Sequence, residues 1–208
     1  MSKISSIQAL ERLKTGNQRF ASSSQSNNLF DSRNRRQELT EFQEPFAIIL
    51  GCSDSRVLAE IVFDQGLGDL FVIRVAGNIV APSQIGSIEF AVERFGTALV
   101  VVLGHSSCGA ILATLEELER PSENRSPNLC SIVDRIRPSI CTLLEINPSQ
   151  SKDILVENAV RANIKASVDN LENGSEILKQ LILQEKLLIV GAEYSLETGL
   201  VDFFDNAL

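Results

Sequence analysis

Three short apolar runs constrain this chain more than any other feature. PFAIILG (45–51), DLFVIRV (69–75) and TALVVVLG (97–104) are apolar along most of their length and are punctuated by glycine or polar residues. A strand open to solvent on one face alternates apolar with polar residues, whereas runs like these belong to strands covered on both faces, as in a parallel sheet layered with helices. After the second and third runs, IGSIEFAVERFG (85–96) and CGAILATLEELER (108–120) carry helical spacing. The alternation of strand and helix predicts an α/β fold.

The rest of the chain extends that pattern. Ile4, Ile7, Leu10, Leu13 and Phe20 recur at roughly helical spacing behind Ser5 or Ser6 as a cap, which predicts an amphipathic N-terminal helix. The polar stretch 21–43 then reads as an arm covering a partner subunit. PSENRSPN (121–128) reads as a loop, 129–148 as a helix kinked or broken at Pro138, and 152–172 as a long helix closed by Asn173 and Gly174. KLLIVGAEY (186–194) is a fourth buried strand and TGLVDFF (198–204) an edge strand, joined in a hairpin across residues 195–197. The expected architecture is a central, mostly parallel sheet of four strands plus an edge strand, with helices on both faces. Residues 1–44 form an N-terminal helix and arm, and residues 45–208 the α/β domain.

Charge removes several classes of partner. The 208 residues hold 19 Lys and Arg against 27 Asp and Glu, a net charge of −8. No basic block offers a surface for nucleic acid, and an anionic membrane would repel the chain. No apolar run reaches the roughly 18–20 residues of a membrane helix, and the opening residues lack a signal-peptide core, so a cytoplasmic location is expected. Four cysteines are too few and too scattered for a disulfide framework, and in a reducing compartment they are thiols or ligands. There is one histidine, so any role for imidazole falls on His105.

In an open parallel sheet, ligands bind beyond the carboxyl ends of the strands where the winding reverses, commonly between the first and third strands. Those two ends carry the unusual residues. Gly51–Arg56 reads G-C-S-D-S-R, which sets Cys52, Asp54 and Arg56 within one turn of each other, and Gly104–Gly109 reads G-H-S-S-C-G, with His105 and Cys108 three apart. Singly, a strand-end cysteine is a small apolar packer, a strand-end histidine is a partner for a carbonyl, and an Asp–Arg pair is a surface ion pair. Together, two thiolates and an imidazole suit zinc, and three protein ligands with an open fourth position are the arrangement of a catalytic rather than a structural site. Cys130, Cys141 and Asp54 are the remaining candidates for a fourth ligand, with core packing the simpler account of the two cysteines.

C-S-D-S-R paired with G-H-S-S-C-G, joined by G-L-G-D-L-F-V-I-R-V-A-G-N, resembles the β-class carbonic anhydrases in spacing, order and intervening segments over about residues 5–205. The resemblance implies one Zn2+ per subunit on Cys52, His105 and Cys108, a catalytic pair of Asp54 and Arg56, and hydration of CO2 to bicarbonate and a proton by zinc-bound hydroxide. It implies a homodimer, or a dimer of dimers, whose N-terminal helix reaches over its neighbour. It also implies substrate contacts for Gln43, Phe71, Ala76 and Phe90, the last standing where many relatives have Tyr; a surface Gln and core apolar residues are equally compatible. The Gly109 amide, at a helix N-terminus, is a candidate contact for bicarbonate. In a closed state Arg56 would release Asp54 to take the fourth zinc position. One branch couples closure to a regulatory bicarbonate; Arg74 and Tyr194 match two of its three residues, but Ile49 replaces the Trp. With His105 spent on zinc, no second imidazole carries the proton outward, and external buffer is expected to take it.

Other chemistries fit less well. A cysteine phosphatase needs five residues between Cys and Arg, a serine elbow G-x-S-x-G fails at Cys108, and G-L-G-D-L-F lacks the third glycine of a dinucleotide loop. Two alternatives stand beside CO2 hydration: a hydrolase of carbonyl sulfide or carbon disulfide on the same zinc site, and a zinc-bearing assembly protein without turnover.

Overall fold

The computed structural model describes residues 4–24, 33–120, 126–146 and 151–204. Four parallel strands and one antiparallel edge strand form a single sheet in the order β2-β1-β3-β4-β5: β1 is Ala47–Gly51, β2 Leu70–Arg74, β3 Leu99–His105, β4 Leu188–Tyr194 and β5 Val201–Phe203. β1 pairs in parallel with β2 and β3, and β3 with β4, while β5 runs antiparallel to β4. The winding therefore reverses between β1 and β3, as the apolar runs predict.

Period-two alternation divides the strand residues between two cores. Ile48, Leu50, Val100, Val102 and Ile189 face one side, where they meet α4 (Pro82–Phe95), α5 (Gly109–Glu119), α6 (Pro127–Ile146), α7 (Lys152–Gly174) and α8 (Glu176–Leu183). Ala47, Ile49, Leu99, Val101, Leu103 and Val190 face the other, against α1 (Ser6–Ala21) and the one-turn helix α3 (Ala59–Val62). Both faces are covered, which is why these strands tolerate no polar alternation.

Local signals account for several boundaries. Ser5 caps α1 in a reciprocal box with Gln8, each side chain accepting the other's backbone N–H. Gly96 ends α4 in the left-handed conformation at φ 63°. α6 is not broken at Pro138: it runs for 20 residues, because Ile136 and Ile140 on either side of the proline are both fully buried in the same core. The β4–β5 connection is longer than the expected three-residue hairpin, spanning residues 195–200. Residues 25–32 of the arm and 121–125 of the loop lie outside the described residues, as do 147 and 148; α2 (Arg33–Glu38) falls within the arm's second half. No helix among the described residues is long and apolar enough to cross a membrane.

α1 belongs to the same packed body as the sheet. Ala9 and Leu13 enter the second core, and Asn17, 3% exposed, binds three backbone groups. Its amide donates to the carbonyls of Val62 and Gly199 at 3.1 and 2.9 Å, and its oxygen accepts from the N–H of Val201 at 2.8 Å. Since truncation strands these groups in or near the core, Asn17→Ala is expected to lower stability by about 2 kcal/mol or more. Urea unfolding measures this, and an unchanged midpoint would show that α1 is held by its apolar contacts alone.

Candidate metal centre

The carboxyl ends of β1 and β3 bring three ligand-type side chains to one point. Cys52 follows β1 by one residue, His105 is the last residue of β3, and Cys108 is the N-cap of α5. All three are buried, and their ligand atoms lie within 4.8 Å of one another. The two sulfurs are 3.9 Å apart. Two sulfurs bonded to one tetrahedral zinc at about 2.3 Å each stand about 3.8 Å apart, so the spacing is that of a shared ion.

The histidine completes the fit. His105 Nδ1 lies 2.9 Å from the carbonyl oxygen of Ser106, which fixes the ring, while the opposite nitrogen, Nε2, is buried with no hydrogen-bond partner among the described residues. A buried nitrogen left bare is unfavourable unless something occupies its lone pair, and metal-binding imidazoles are held in this way by their second nitrogen. Asp54 Oδ2, the nearest carboxylate oxygen, is 3.8 Å away and outside hydrogen-bond reach. The donors present therefore fit zinc.

Without metal the two thiols share a proton. A hydrogen bond from Cys108 outweighs burial and lowers the Cys52 pKa to about 4, with help from His105 and the Gly77 amide, which donates to Cys52 Sγ at 3.3 Å. Cys108, as the donor and under the same burial, is pushed up and keeps its proton. Burial works against a charged His105, but the Cys52 sulfur, the Ser106 carbonyl and the Asp54 carboxylate outweigh it and raise the pKa.

The carboxylate beside the cluster is held rigidly. Arg56 donates from Nε to Asp54 Oδ1 at 2.9 Å and from Nη2 to Oδ2 at 2.8 Å, and its backbone N–H adds a bond to Oδ1 at 3.0 Å. These bonds keep the Asp54 carboxyl well below the usual carboxylate range. Arg74 secures the loop from beneath, donating to the carbonyls of Cys52 at 3.1 Å and Asp54 at 2.6 Å. Arg74 thus holds the backbone of the metal loop, a duty its sequence position did not reveal. Tyr194, buried, packs against Phe20 of α1 with ring centroids 6.3 Å apart, and Ile49 is fully buried.

The remaining predicted residues fall into two groups. Ala76 opens the turn whose Gly77 touches Cys52, and Gly109 follows Cys108 with open space where a Cβ would stand. Gln43 and Phe90 lie elsewhere, in a groove of about 940 Å³ shared with Arg36, Leu39, Leu67 and Arg94. Phe71 packs against Phe90 and Phe95 of that groove with tilted rings, at centroid distances of 6.4 and 6.1 Å. Gln43 precedes β1 and Cys52 follows it. The strand alone separates them by about 17 Å, so one chain does not bring Gln43 to its own cluster. Cys130 and Cys141 both lie on α6, half-buried and outside the cluster.

A family model for carbonic anhydrase matches residues 47–201. The carbonic anhydrase of Mycolicibacterium smegmatis is 40% identical over 196 residues, covering 94% of this chain and 92% of that protein. Carbonic anhydrase 2 of Mycobacterium tuberculosis is 37% identical over 195 residues, covering 93% and 90%. Among solved structures, the β-carbonic anhydrase CafA of Aspergillus fumigatus superposes with a TM-score of 0.75 at 25% identity, covering 84% of this chain and 82% of that one.

Because Cys108 keeps its proton near neutrality, metal uptake must expel it. The apparent zinc association constant is expected to rise about tenfold per pH unit for each proton released, between about pH 6.5 and 8.5. Competition against a chelator of known pH dependence measures the slope, and a flat profile would contradict the thiol assignment.

Proposed function

The chain belongs to the β-class carbonic anhydrases, and on that premise we propose how its own residues carry out the reversible hydration of carbon dioxide. The observation that carries the reading is the convergence of Cys52, His105 and Cys108 within 4.8 Å beside a carboxylate clamped by arginine. Cys52, His105 and Cys108 would hold one zinc ion per subunit. When bound, zinc acts as a Lewis acid that acidifies water and so supplies a hydroxide nucleophile near neutral pH.

The protein's contribution is orientation. Asp54, ionised and pinned by Arg56, accepts a hydrogen bond from the nucleophile and turns its lone pair toward the carbon of CO2. A carboxylate that took up protons readily would lose this acceptor role; the two Arg56 bonds prevent that. Ala76 walls the apolar substrate. The Gly109 amide, at the N-terminus of an 11-residue helix, receives the bicarbonate anion, and no side chain of its own obstructs the approach. Release of Asp54 by Arg56 would free the carboxylate, whose Oδ2 is 3.8 Å from His105 Nε2, to reach the ligand cluster and close the site. The proton leaves to external buffer, since the only histidine is a ligand.

Gln43, Phe71 and Phe90 contribute to substrate binding from a second copy of the chain. The groove that holds Gln43 and Phe90, with Phe71 packed against Phe90, is at the far end of β1 from their own cluster, and Phe42 and Phe90 are 62% and 53% exposed there. A homodimer that sets this groove against the partner's metal centre completes two equivalent sites, and residues 39–44 before β1 line the same surface.

Two experiments test the reading. Stopped-flow CO2 hydration on zinc-quantified protein is expected to show zinc-dependent turnover that rises with pH. Cys108→Ala should lose both zinc and turnover, and Asp54→Asn should keep zinc while lowering kcat/KM by roughly 10- to 100-fold. No turnover with zinc fully loaded would favour the carbonyl sulfide or carbon disulfide hydrolase, or the assembly protein. For the shared site, hybrid dimers of a Gln43→Ala chain and an Asp54→Asn chain should recover about half the wild-type rate, because one of the two sites is then intact. Recovery no greater than the average of the parent variants would place Gln43 in its own chain's chemistry or outside it.

A further inference from the structure

The Gly77 N–H that reaches Cys52 Sγ comes from an unusual turn. Residues Ala76–Asn78 leave β2 as one 3-10 turn in which Gly77 (φ 70°) and Asn78 (φ 42°) are both left-handed. Glycine adopts that conformation freely and asparagine tolerates it, but two in succession need outside support.

The support comes from α7. Asn163 Nδ2 donates to the Gly77 carbonyl at 2.8 Å, and Ser167 Oγ donates to the Asn78 carbonyl at 3.0 Å. Asn163 and Ser167 are four residues apart and so share one helical face, and they are 2% and 3% exposed. Their neighbours on that stripe are Ala159, Val160, Ile164, Val168 and Leu171, all buried and apolar. α7 comes close enough because the sheet is bare beneath it: a Cβ at Gly104 or Gly191 would lie 2.5 or 2.8 Å from Ile164.

Two polar side chains in an apolar stripe are costly to bury unless they are used. We propose that Asn163 and Ser167 are positioning residues: by gripping the 76–78 turn they hold the Gly77 N–H on Cys52 Sγ, and so set the charge this sulfur gives its metal and the affinity of the centre. The inference rests on the zinc reading above and assigns the metal site a layer of support that reaches into a helix with no ligand of its own.

The test uses the full chain loaded with Co(II), whose sulfur-to-metal charge-transfer band reports directly on the thiolates, together with zinc affinity from chelator competition. Asn163→Leu keeps the approximate volume and removes the donor. Its band should move to longer wavelength, because a sulfur lone pair without its N–H donor lies higher in energy, and zinc affinity should fall about 10- to 100-fold. Ser167→Ala should shift both in the same direction by less, and Ser167→Thr, which keeps the hydroxyl, should restore them. Leu171→Ala, one turn further along the stripe, should lower stability and leave the band in place. Wild-type bands and affinities in both Asn163→Leu and Ser167→Ala would overturn the proposal, as would an equal shift in Leu171→Ala, which would mark general loosening. If the unmutated chain shows no sulfur-to-cobalt band, the metal assignment itself fails, and this inference falls with it.

Discussion

The burial of His105 with one nitrogen unpartnered is the constraint on which the rest of the site depends. An imidazole inside a sheet crevice needs both nitrogens satisfied, and among the described residues only one is, through the Ser106 carbonyl. Two sulfurs face the other. The result is an interior that is incomplete as a purely organic core and complete as a metal site. Its parts arrive along different routes: Cys52 continues the strand face of Ile48 and Leu50, whereas His105 continues the opposite face of Val101 and Leu103. Only at the carboxyl ends, where the chain leaves β1 and β3 in different directions, do side chains of opposite parity meet.

Around the cluster, backbone groups do most of the holding. Cys52 takes the Gly77 amide, Asp54 takes the Arg56 amide as well as its guanidinium, and Arg74 binds two carbonyls of the same loop. Ser106 is tied in turn to the β4–β5 connection, its N–H donating to Tyr194 O at 2.9 Å and its hydroxyl accepting from the Leu196 N–H at 3.0 Å. Backbone partners do not rotate away as side chains can, and the turn that carries the Gly77 amide is itself held by α7, so the ligand geometry is fixed before any metal arrives. That preorganisation suits a centre whose geometry must persist through turnover.

Much of this was legible in the residues themselves. Runs such as TALVVVLG declare a strand covered on both sides, and a cysteine and a histidine placed after the first and third of them fall at the reversal point by topology alone. What escaped reading was non-local. The roles of Gly77 and Arg74 depend on which loop lies beside them, and nothing in a single glycine or arginine announces that. Asn163 and Ser167 did leave a trace, as polar residues on the buried face of a long helix, but their partners lie 86 and 89 residues away in sequence. A break at Pro138 did not follow, because the two buried isoleucines on either side of it keep the helix continuous within one core.

The same strand that builds the metal centre also explains why one chain is an incomplete catalytic unit on the reading proposed here. β1 delivers Cys52 at its carboxyl end and begins just beyond Gln43 at its amino end, so the two are separated by the length of the strand. No rearrangement of loops shortens a strand buried between β2 and β3, since its ladder bonds and both of its packed faces would have to break. If both residues serve one molecule of substrate, they must come from different chains. A two-fold axis makes that economical, because a contact that carries Gln43 to the partner's centre returns the partner's Gln43 in exchange. The exposed aromatic surface of Phe42 and Phe90 is then the apolar part of a contact that the reaction itself requires.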